Sequence, residues 1–265
     1  MFLKMLKHES RATARSMLPL VAGLLVMAIL ARGSIWLKQN VASQASNNAI
    51  GTTLLGLFLI AFFLGCIAIV VATTILMMGR FAKSVYSDAG YLTNTLPVNT
   101  STILLCHLLL SFLGIVISFV TVYVGFWIVT AGSKIGSFFN SIGSAFGERG
   151  IDKTSALFQL LATGVMSILN TILMIFAGIS IGHSFSGGKT GKSVLFVFIL
   201  YFVQQMISSL LMVAVMLIST GGLKSYSSNL EFSTAVWFSM IQYLFFGSVY
   251  YFLTWFMTKK HLNLS

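Results

Sequence analysis

Six long apolar segments follow one another along the chain, separated by short stretches rich in small, polar and basic residues. A helix that crosses the roughly 30 Å hydrocarbon core of a bilayer needs about 20 mainly apolar residues, and each segment reaches that length. The apolar positions do not alternate with polar ones, as they would in the strands of a transmembrane barrel. The pattern therefore predicts membrane-spanning helices at residues 17–37, 52–78, 103–131, 156–183, 194–218 and 234–257.

The first sixteen residues have a different pattern, with basic side chains at helical spacing. One face of a helix would carry Lys4, Lys7, His8, Arg11 and Arg15, and Phe2, Leu3 and Leu6 lie away from that face. This pattern predicts an amphipathic helix over residues 1–16 that lies on the inner surface of the membrane, before Pro19. The alternative is a basic flank that only orients the first span.

Composition supports a membrane protein. Hydrophobic residues make up 57% of the chain and charged residues only 8%, whereas a soluble domain has roughly 25% charged residues. The net charge of +11 comes from basic residues spread between the apolar segments, which disfavours a nucleic-acid-binding patch. No loop reaches the roughly 40 residues of a small autonomous domain. We expect one all-α domain over residues 1–265, a polytopic membrane helix bundle without a nucleic-acid partner.

The positions of Lys and Arg indicate which ends of the spans are cytoplasmic. If the N-terminus is inside, ten of the sixteen basic residues lie on inside segments. Because cytoplasmic flanks are enriched in Lys and Arg, both termini are predicted to be cytoplasmic. The ten residues are Lys4, Lys7, Arg11, Arg15, Arg80, Lys83, Lys189, Lys192, Lys259 and Lys260.

Residues that could carry catalytic chemistry are sparse. The four histidines lack zinc-binding spacing, and no nucleophile motif or pair of carboxylates lies within a span. Cys66 and Cys106 lie inside apolar segments, which favours two buried thiols over a disulfide or a metal pair. We therefore expect no catalytic residue and no metal site. The lack of carboxylates within the spans also disfavours an ion-coupled carrier.

Residues 186–193, Ser-Gly-Gly-Lys-Thr-Gly-Lys-Ser, partly match the P-loop pattern Gly-x-x-x-x-Gly-Lys-Ser/Thr. Ser186 stands where the first glycine belongs, and the short connection between the fourth and fifth spans has no room for the strand that precedes a P-loop. We expect an inside turn that binds no nucleotide. Lys189 and Lys192 would then contact lipid headgroups or a partner protein.

Polar residues inside the apolar segments are candidates for substrate contact. Asn170, Gln204, Gln205 and Gln242 are the candidate residues of a translocation path. Hydrogen bonding between helices is the alternative, and it is favoured on general grounds because such polar contacts are common in membrane bundles.

The predicted inside loop after the second span combines turn residues with apolar side chains. Asp88, Gly90 and Pro97 are typical of a loop, and Tyr91 and Leu92 place apolar side chains on it. Exposed apolar side chains on a short loop indicate a docking surface. An equally supported alternative is that both side chains rest in the headgroup region as interfacial anchors.

Two motifs are similar to those of a known protein family. Residues 7–20, Lys-His-Glu-Ser-Arg-Ala-Thr-Ala-Arg-Ser-Met-Leu-Pro-Leu, and residues 86–98, Tyr-Ser-Asp-Ala-Gly-Tyr-Leu-Thr-Asn-Thr-Leu-Pro-Val, carry the similarity. The chain resembles the six-span permease subunits of bacterial ABC exporters, of the Gram-positive branch that handles peptides, lantibiotics and other antimicrobials. Ala89 replaces an acidic residue of that family, and Ser10 replaces an aromatic one.

The resemblance implies a multi-pass permease of the bacterial plasma membrane, paired with a second copy or a homologous permease. Each half would dock on a separate cytoplasmic ATPase that binds ATP and Mg²⁺, so this chain is expected to bind no cofactor and to be no enzyme itself. The cargo would be an amphipathic peptide, an antimicrobial or a lipid-like compound. A non-transporting sensor or assembly subunit of a signalling complex is the alternative. The implied ATPase contacts are Glu9, Arg11, Arg15, Asp88, Gly90, Tyr91, Leu92 and Pro97, to which the basic turn adds Lys189 and Lys192.

Overall fold

The computed structural model describes residues 2–41, 49–86, 100–130, 153–185, 189–219 and 228–260, and these residues form six helices. No strand occurs in these ranges. The helices are α1 (Phe2–Val41), α2 (Ala49–Tyr86), α3 (Thr100–Thr130), α4 (Lys153–His183), α5 (Lys189–Ser219) and α6 (Ser228–Lys260).

Each of the six helices contains a segment that is long and apolar enough to cross a membrane. The predicted number of spans and the all-helical class are thereby confirmed, and the chain has the character of a multi-pass membrane protein. Placement of both termini in the cytoplasm stays a prediction.

All six helices extend beyond the predicted apolar segments at one end at least, and α2 and α5 do so by several residues. Helix α2 continues to Tyr86, so Arg80 and Lys83 are helical and the predicted loop 79–102 begins later. Helix α5 begins at Lys189, so Gly191 lies in its first turn and the predicted turn over residues 189–193 is wrong. Charged residues end an apolar pattern but not a helix, because backbone hydrogen bonding continues beyond the hydrocarbon core.

Helix α1 runs without interruption through Pro19, joining the predicted amphipathic helix 1–16 to the first span. Proline lacks the N–H that would bond the carbonyl of Arg15, but membrane helices tolerate such residues when neighbouring groups satisfy the freed backbone. The predicted separation of two elements near Pro19 is therefore not observed. The position of residues 2–16 on the membrane surface stays a prediction.

The chain divides into two compact units. The first contains Met1–Met77 and Leu109–Ile142, and the second contains Met78–Leu108 and Gly143–Ser265. Helices α2 and α3 therefore contribute residues to both units. The prediction of a single membrane domain stays a prediction.

In the first unit, small residues of α1 form the centre of the core. Ala28 and Ala31 have no exposed surface, and such residues let helices approach closely in a membrane protein. They pack in a cluster with Leu24, Phe62, Cys66, Ile69 and Val129. A buried hydroxyl pair, Thr73 with Ser118 at 2.7 Å, joins α2 to α3.

In the second unit, α4 is the central helix. Every residue from 172 to 180 is buried, and α4 packs against both α5 and α6. Its apolar core joins Leu173, Met174 and Ala177 of α4 to Phe246 and Tyr250 of α6. The buried part of α4 is therefore the centre of this unit, and the candidate site lies at the C-terminal end of that part.

Candidate functional site

Aromatic rings hold the last turns of α2 in the second unit. The rings of Phe81 and Phe176 stack with centroids 3.9 Å apart, and both side chains are almost completely buried. The His107 ring meets Phe81 edge-on at 5.8 Å, and its Nε2 lies 2.9 Å from the Ser84 hydroxyl. Aromatic pairs contribute about 0.5–1.5 kcal/mol beyond their buried area. These contacts fix the end of α2 against α3 and α4.

Tyr86, the last residue of α2, joins that helix to α4 and α6. Its ring stacks on the His183 ring at 4.8 Å, and its hydroxyl lies 3.2 Å from the Thr258 hydroxyl. Thr258 donates its own proton to the carbonyl of Thr254 at 2.7 Å, so the Tyr86 hydroxyl is the donor to Thr258. The buried phenol is therefore hydrogen-bonded, as buried polar groups usually are.

His183 connects α4 to the start of α5. Its Nδ1 lies 2.9 Å from the carbonyl oxygen of Ile179 and 3.0 Å from the hydroxyl oxygen of Ser193. Because a carbonyl oxygen only accepts hydrogen bonds, a proton on Nδ1 satisfies this arrangement. The imidazole orientation is thus set by the two helices, and the ring faces Tyr86.

Two glycines of α4 allow α5 to approach closely. A Cβ atom added at Gly178 would lie 2.8 Å from the backbone nitrogen of Val197, and one added at Gly182 would collide with the backbone of Ser193. The two glycines are four residues apart, the spacing of the small-x-x-x-small motif in membrane helix pairs. We call the following side chains the Tyr86 cluster: Phe81, Ser84, Tyr86, His107, Phe176, His183, Ser193 and Thr258.

Replacing Gly178 by alanine is expected to lower the free energy of unfolding by about 1–3 kcal/mol, because the new methyl group overpacks the contact with α5. Gly164→Ala in the same helix is the control, since no atom lies within 4 Å of a Cβ added there, and it should leave stability unchanged or slightly raised. Thermal unfolding in detergent compares the two variants. Equal midpoints would contradict the close α4–α5 contact.

The Tyr86 cluster takes its side chains from α2, α3, α4, α5 and α6. Its members are rings and hydroxyl groups, without a carboxylate. Within the described ranges, no group of three or more His, Cys, Asp or Glu side chains could hold a metal ion. The cluster fixes the end of α2 immediately before residues 87–99, which contain most of the loop motif that starts at Tyr86. Through Tyr86 it joins this end of α2 to α4 and α6.

The residues expected to contact an ATPase lie in several places. Asp88, Gly90, Tyr91, Leu92 and Pro97 lie outside the described residues. Glu9, Arg11 and Arg15 lie on α1 in the first unit. Lys189 is the first residue of α5, and the Lys192 ammonium lies 5.7 Å from the centre of the Phe185 ring. Their contact with a partner stays a prediction.

Three of the four candidate path residues form hydrogen bonds between helices. The Asn170 amide donates to Gln204 Oε1 at 3.3 Å, and the Tyr250 hydroxyl donates to the same oxygen at 3.0 Å. Gln242 donates to the Ser208 hydroxyl. This geometry favours the alternative of polar contacts between helices, whereas Gln205 is exposed. A translocation role for these residues stays a prediction.

No family model, curated protein or solved structure matches this chain. The exporter resemblance therefore depends on the two motifs and on the six-span pattern.

Sequence reasoning missed the contacts that build the Tyr86 cluster. Tyr86 and His183 are far apart in the chain, and no sequence pattern around either residue indicates that the two are in contact. The glycine pair was a usable signal, because Gly178-Ile-Ser-Ile-Gly182 lies within a predicted span and has the spacing of close helix packing.

Proposed function

We propose that this chain is the permease subunit of an ATP-driven exporter in the bacterial plasma membrane. Its cargo is an amphipathic peptide, an antimicrobial or a lipid-like compound, and a separate cytoplasmic subunit hydrolyses ATP. The proposal is supported by the motif over residues 86–98, which resembles the ATPase-contacting loop of exporter permeases. The observation that carries it is the burial of Tyr86, the first residue of that motif, against α4 and α6.

In this mechanism, the partner ATPase acts on residues 87–99 and the Tyr86 cluster transmits the displacement to the bundle. A segment fixed by a rigid cluster transmits motion, whereas a loosely attached segment absorbs it. Coupling between two sites usually amounts to about 1–3 kcal/mol. One ring stack and one hydrogen bond together contribute a comparable amount, about 1–3 kcal/mol. The contacts of Tyr86 are therefore of the size that such a coupling would require.

A second permease, identical or homologous, completes the proposed pore. Helix α5 supports this part of the proposal, because none of its most apolar residues is buried. Its exposed face includes Gln205, Ser209 and Met212. A glutamine that faces hydrocarbon is costly without a partner, and a protein partner would provide one.

The test of the proposal is association with an ATPase subunit. We expect this chain, co-expressed with an ABC ATPase encoded beside it, to co-purify with that ATPase in detergent. An ABC ATPase that belongs to an unrelated importer is the control for nonspecific capture. Failure of the neighbouring ATPase to associate, with the membrane protein folded, would contradict the proposal.

Tyr86→Ala is expected to remove most of the stimulation of ATP hydrolysis by this chain, because it deletes both the ring stack on His183 and the bond to Thr258. Tyr86→Phe keeps the ring, so it should retain a large part of the stimulation. Hydrolysis by the co-purified complex measures the effect. Full stimulation in Tyr86→Ala would show that the cluster has no part in coupling.

A further inference from the structure

An apolar groove lies between α1 and α3 in the first unit. It has a volume of about 520 Å³, within the range of roughly 300–1,000 Å³ that is common for small-molecule sites. Residues 10–21 of α1 form one wall, and residues 110–117 of α3 form the other.

The floor of the groove is buried and adaptable. Met17 and Leu110 are 5% and 6% exposed, and Gly114 between them contributes no side chain. A Cβ atom added at Gly114 would lie 3.5 Å from the Met17 sulfur. Methionine is flexible and polarizable, so it can adjust to the shape of an apolar guest. The exposed side chains of Leu18, Leu113 and Ile117 extend the apolar surface along the groove.

One end of the groove carries a guanidinium group. Two hydroxyls at this end are already used within α1: Ser10 donates to the Lys7 carbonyl at 3.0 Å, and Thr13 donates to the Glu9 carbonyl at 2.8 Å. Arg11 is exposed and lines the groove. Among the described residues it has no hydrogen-bond or ion-pair partner. Its charge is therefore available to a ligand whose apolar part lies in the groove.

The direction of the groove follows from how α1 and α3 run. Met17 lies beside Gly114, and the Arg32 guanidinium lies 3.5 Å from the Val129 carbonyl. Both pairs are separated by the same number of residues, so the two helices run parallel. The groove therefore extends from Arg11 towards the middle of the first span, along the direction in which an acyl chain enters a bilayer from its headgroup.

We propose that this groove binds one anionic phospholipid from the leaflet that borders the N-terminus. One acyl chain occupies the apolar walls, and the phosphate group accepts hydrogen bonds from Arg11, since guanidinium groups pair well with phosphate oxygens. Lys7, one turn before Arg11 and exposed, adds to the preference for a negative headgroup. A second copy of α1 would instead bring the same positive charges together.

The site does not depend on the exporter function, and its test uses purified protein without an ATPase. The protein is reconstituted with equal amounts of phosphatidylglycerol and phosphatidylcholine, extracted in mild detergent and measured by native mass spectrometry. We expect phosphatidylglycerol to be retained in preference, with one tightly held molecule per chain. Arg11→Gln should reduce that retention by about tenfold, the loss of one charge-assisted contact.

Two pairs of variants distinguish binding in the groove from a general attraction between basic residues and anionic lipid. Arg15→Gln removes the same charge outside the groove lining, and it should keep most of the retention. Ala14→Phe fills the groove from the α1 wall and should abolish retention, whereas Ala22→Phe, on the same helix but not lining the groove, should not.

Four results would overturn the proposal. Equal retention of both lipids would show that the site has no preference for an anionic headgroup. Equal losses of retention in Arg11→Gln and Arg15→Gln would show that the lipid does not bind in the groove. Displacement of the retained lipid by inorganic phosphate would assign the site to free phosphate. Retained lipid in Ala14→Phe, with the variant folded by circular dichroism, would also contradict the site.

Discussion

Replacing Tyr91 and Leu92 together by aspartate is expected to abolish ATP-driven export while leaving the membrane protein folded. Under the proposed function, these two side chains provide the apolar contact with the ATPase on residues 87–99. Burying two carboxylates in an apolar contact without partners is strongly unfavourable. Export of a fluorescently labelled amphipathic peptide from cells measures the loss, and the unfolding midpoint of the purified protein checks the fold.

Thr93→Asp with Asn94→Asp is the matched control for this prediction, because it places the same two charges on the next two residues. Export should continue in this control. If Tyr91→Asp with Leu92→Asp retains export, the two side chains are interfacial anchors and not the docking contact. Equal losses in both double variants would indicate a general effect of charge and would contradict a specific contact.

Phe81→Ala is expected to lower the free energy of unfolding by about 3 kcal/mol, the largest stability effect among the changes considered. Phe81 is 1% exposed and contacts Phe176, Tyr86 and His107 at once. In a membrane, the separated helices are surrounded by lipid and not by water. The loss of stability therefore comes mainly from the lost packing contacts and the cavity left behind.

Phe63→Ala provides the comparison on the same helix, because Phe63 is 59% exposed and its ring leaves no internal cavity. This variant should unfold almost as the unchanged protein does. The measurement is denaturant unfolding in mixed micelles, followed by circular dichroism. A loss in Phe81→Ala no greater than that in Phe63→Ala would contradict the rigid cluster at the end of α2.

The six spans were predictable because membrane crossing is a property of single segments. Length and apolar content decide whether a helix can cross a bilayer, and both can be counted in the sequence. The ends of the spans were less predictable. Arg80 and Lys83 end the apolar pattern, yet α2 continues to Tyr86. Helix formation at this end depends on backbone hydrogen bonds and on the packing of Phe81 against Phe176. A hydropathy pattern carries no information on either of these contributions.

The candidate site was predictable only in part, because it is made of contacts between helices. The motif beginning at Tyr86 was identified from sequence, but its packing on His183 and Thr258 depends on how α4 and α6 lie beside α2. The polar span residues illustrate the same limit. Composition left Asn170 and Gln204 open to two interpretations, and their mutual hydrogen bond favours the contact between helices.

The apolar groove between α1 and α3 is also a feature that only the packing of the helices shows. The sequence indicates that Arg11 is basic and that Gly114 lies within a span. The parallel register of α1 and α3 brings both residues into one groove. Arg11 thereby belongs to two proposals, contact with an ATPase and contact with a lipid phosphate, and measurements with and without the ATPase subunit separate them.

The most direct test of the exporter proposal measures ATP hydrolysis by the neighbouring ATPase in lipid vesicles, with and without this chain. We predict that hydrolysis rises when the chain is present, and that the Tyr91→Asp and Leu92→Asp double variant removes the rise. Vesicles with an unrelated six-span membrane protein provide the baseline. Hydrolysis that stays at this baseline with the folded, unchanged chain would contradict the proposed coupling.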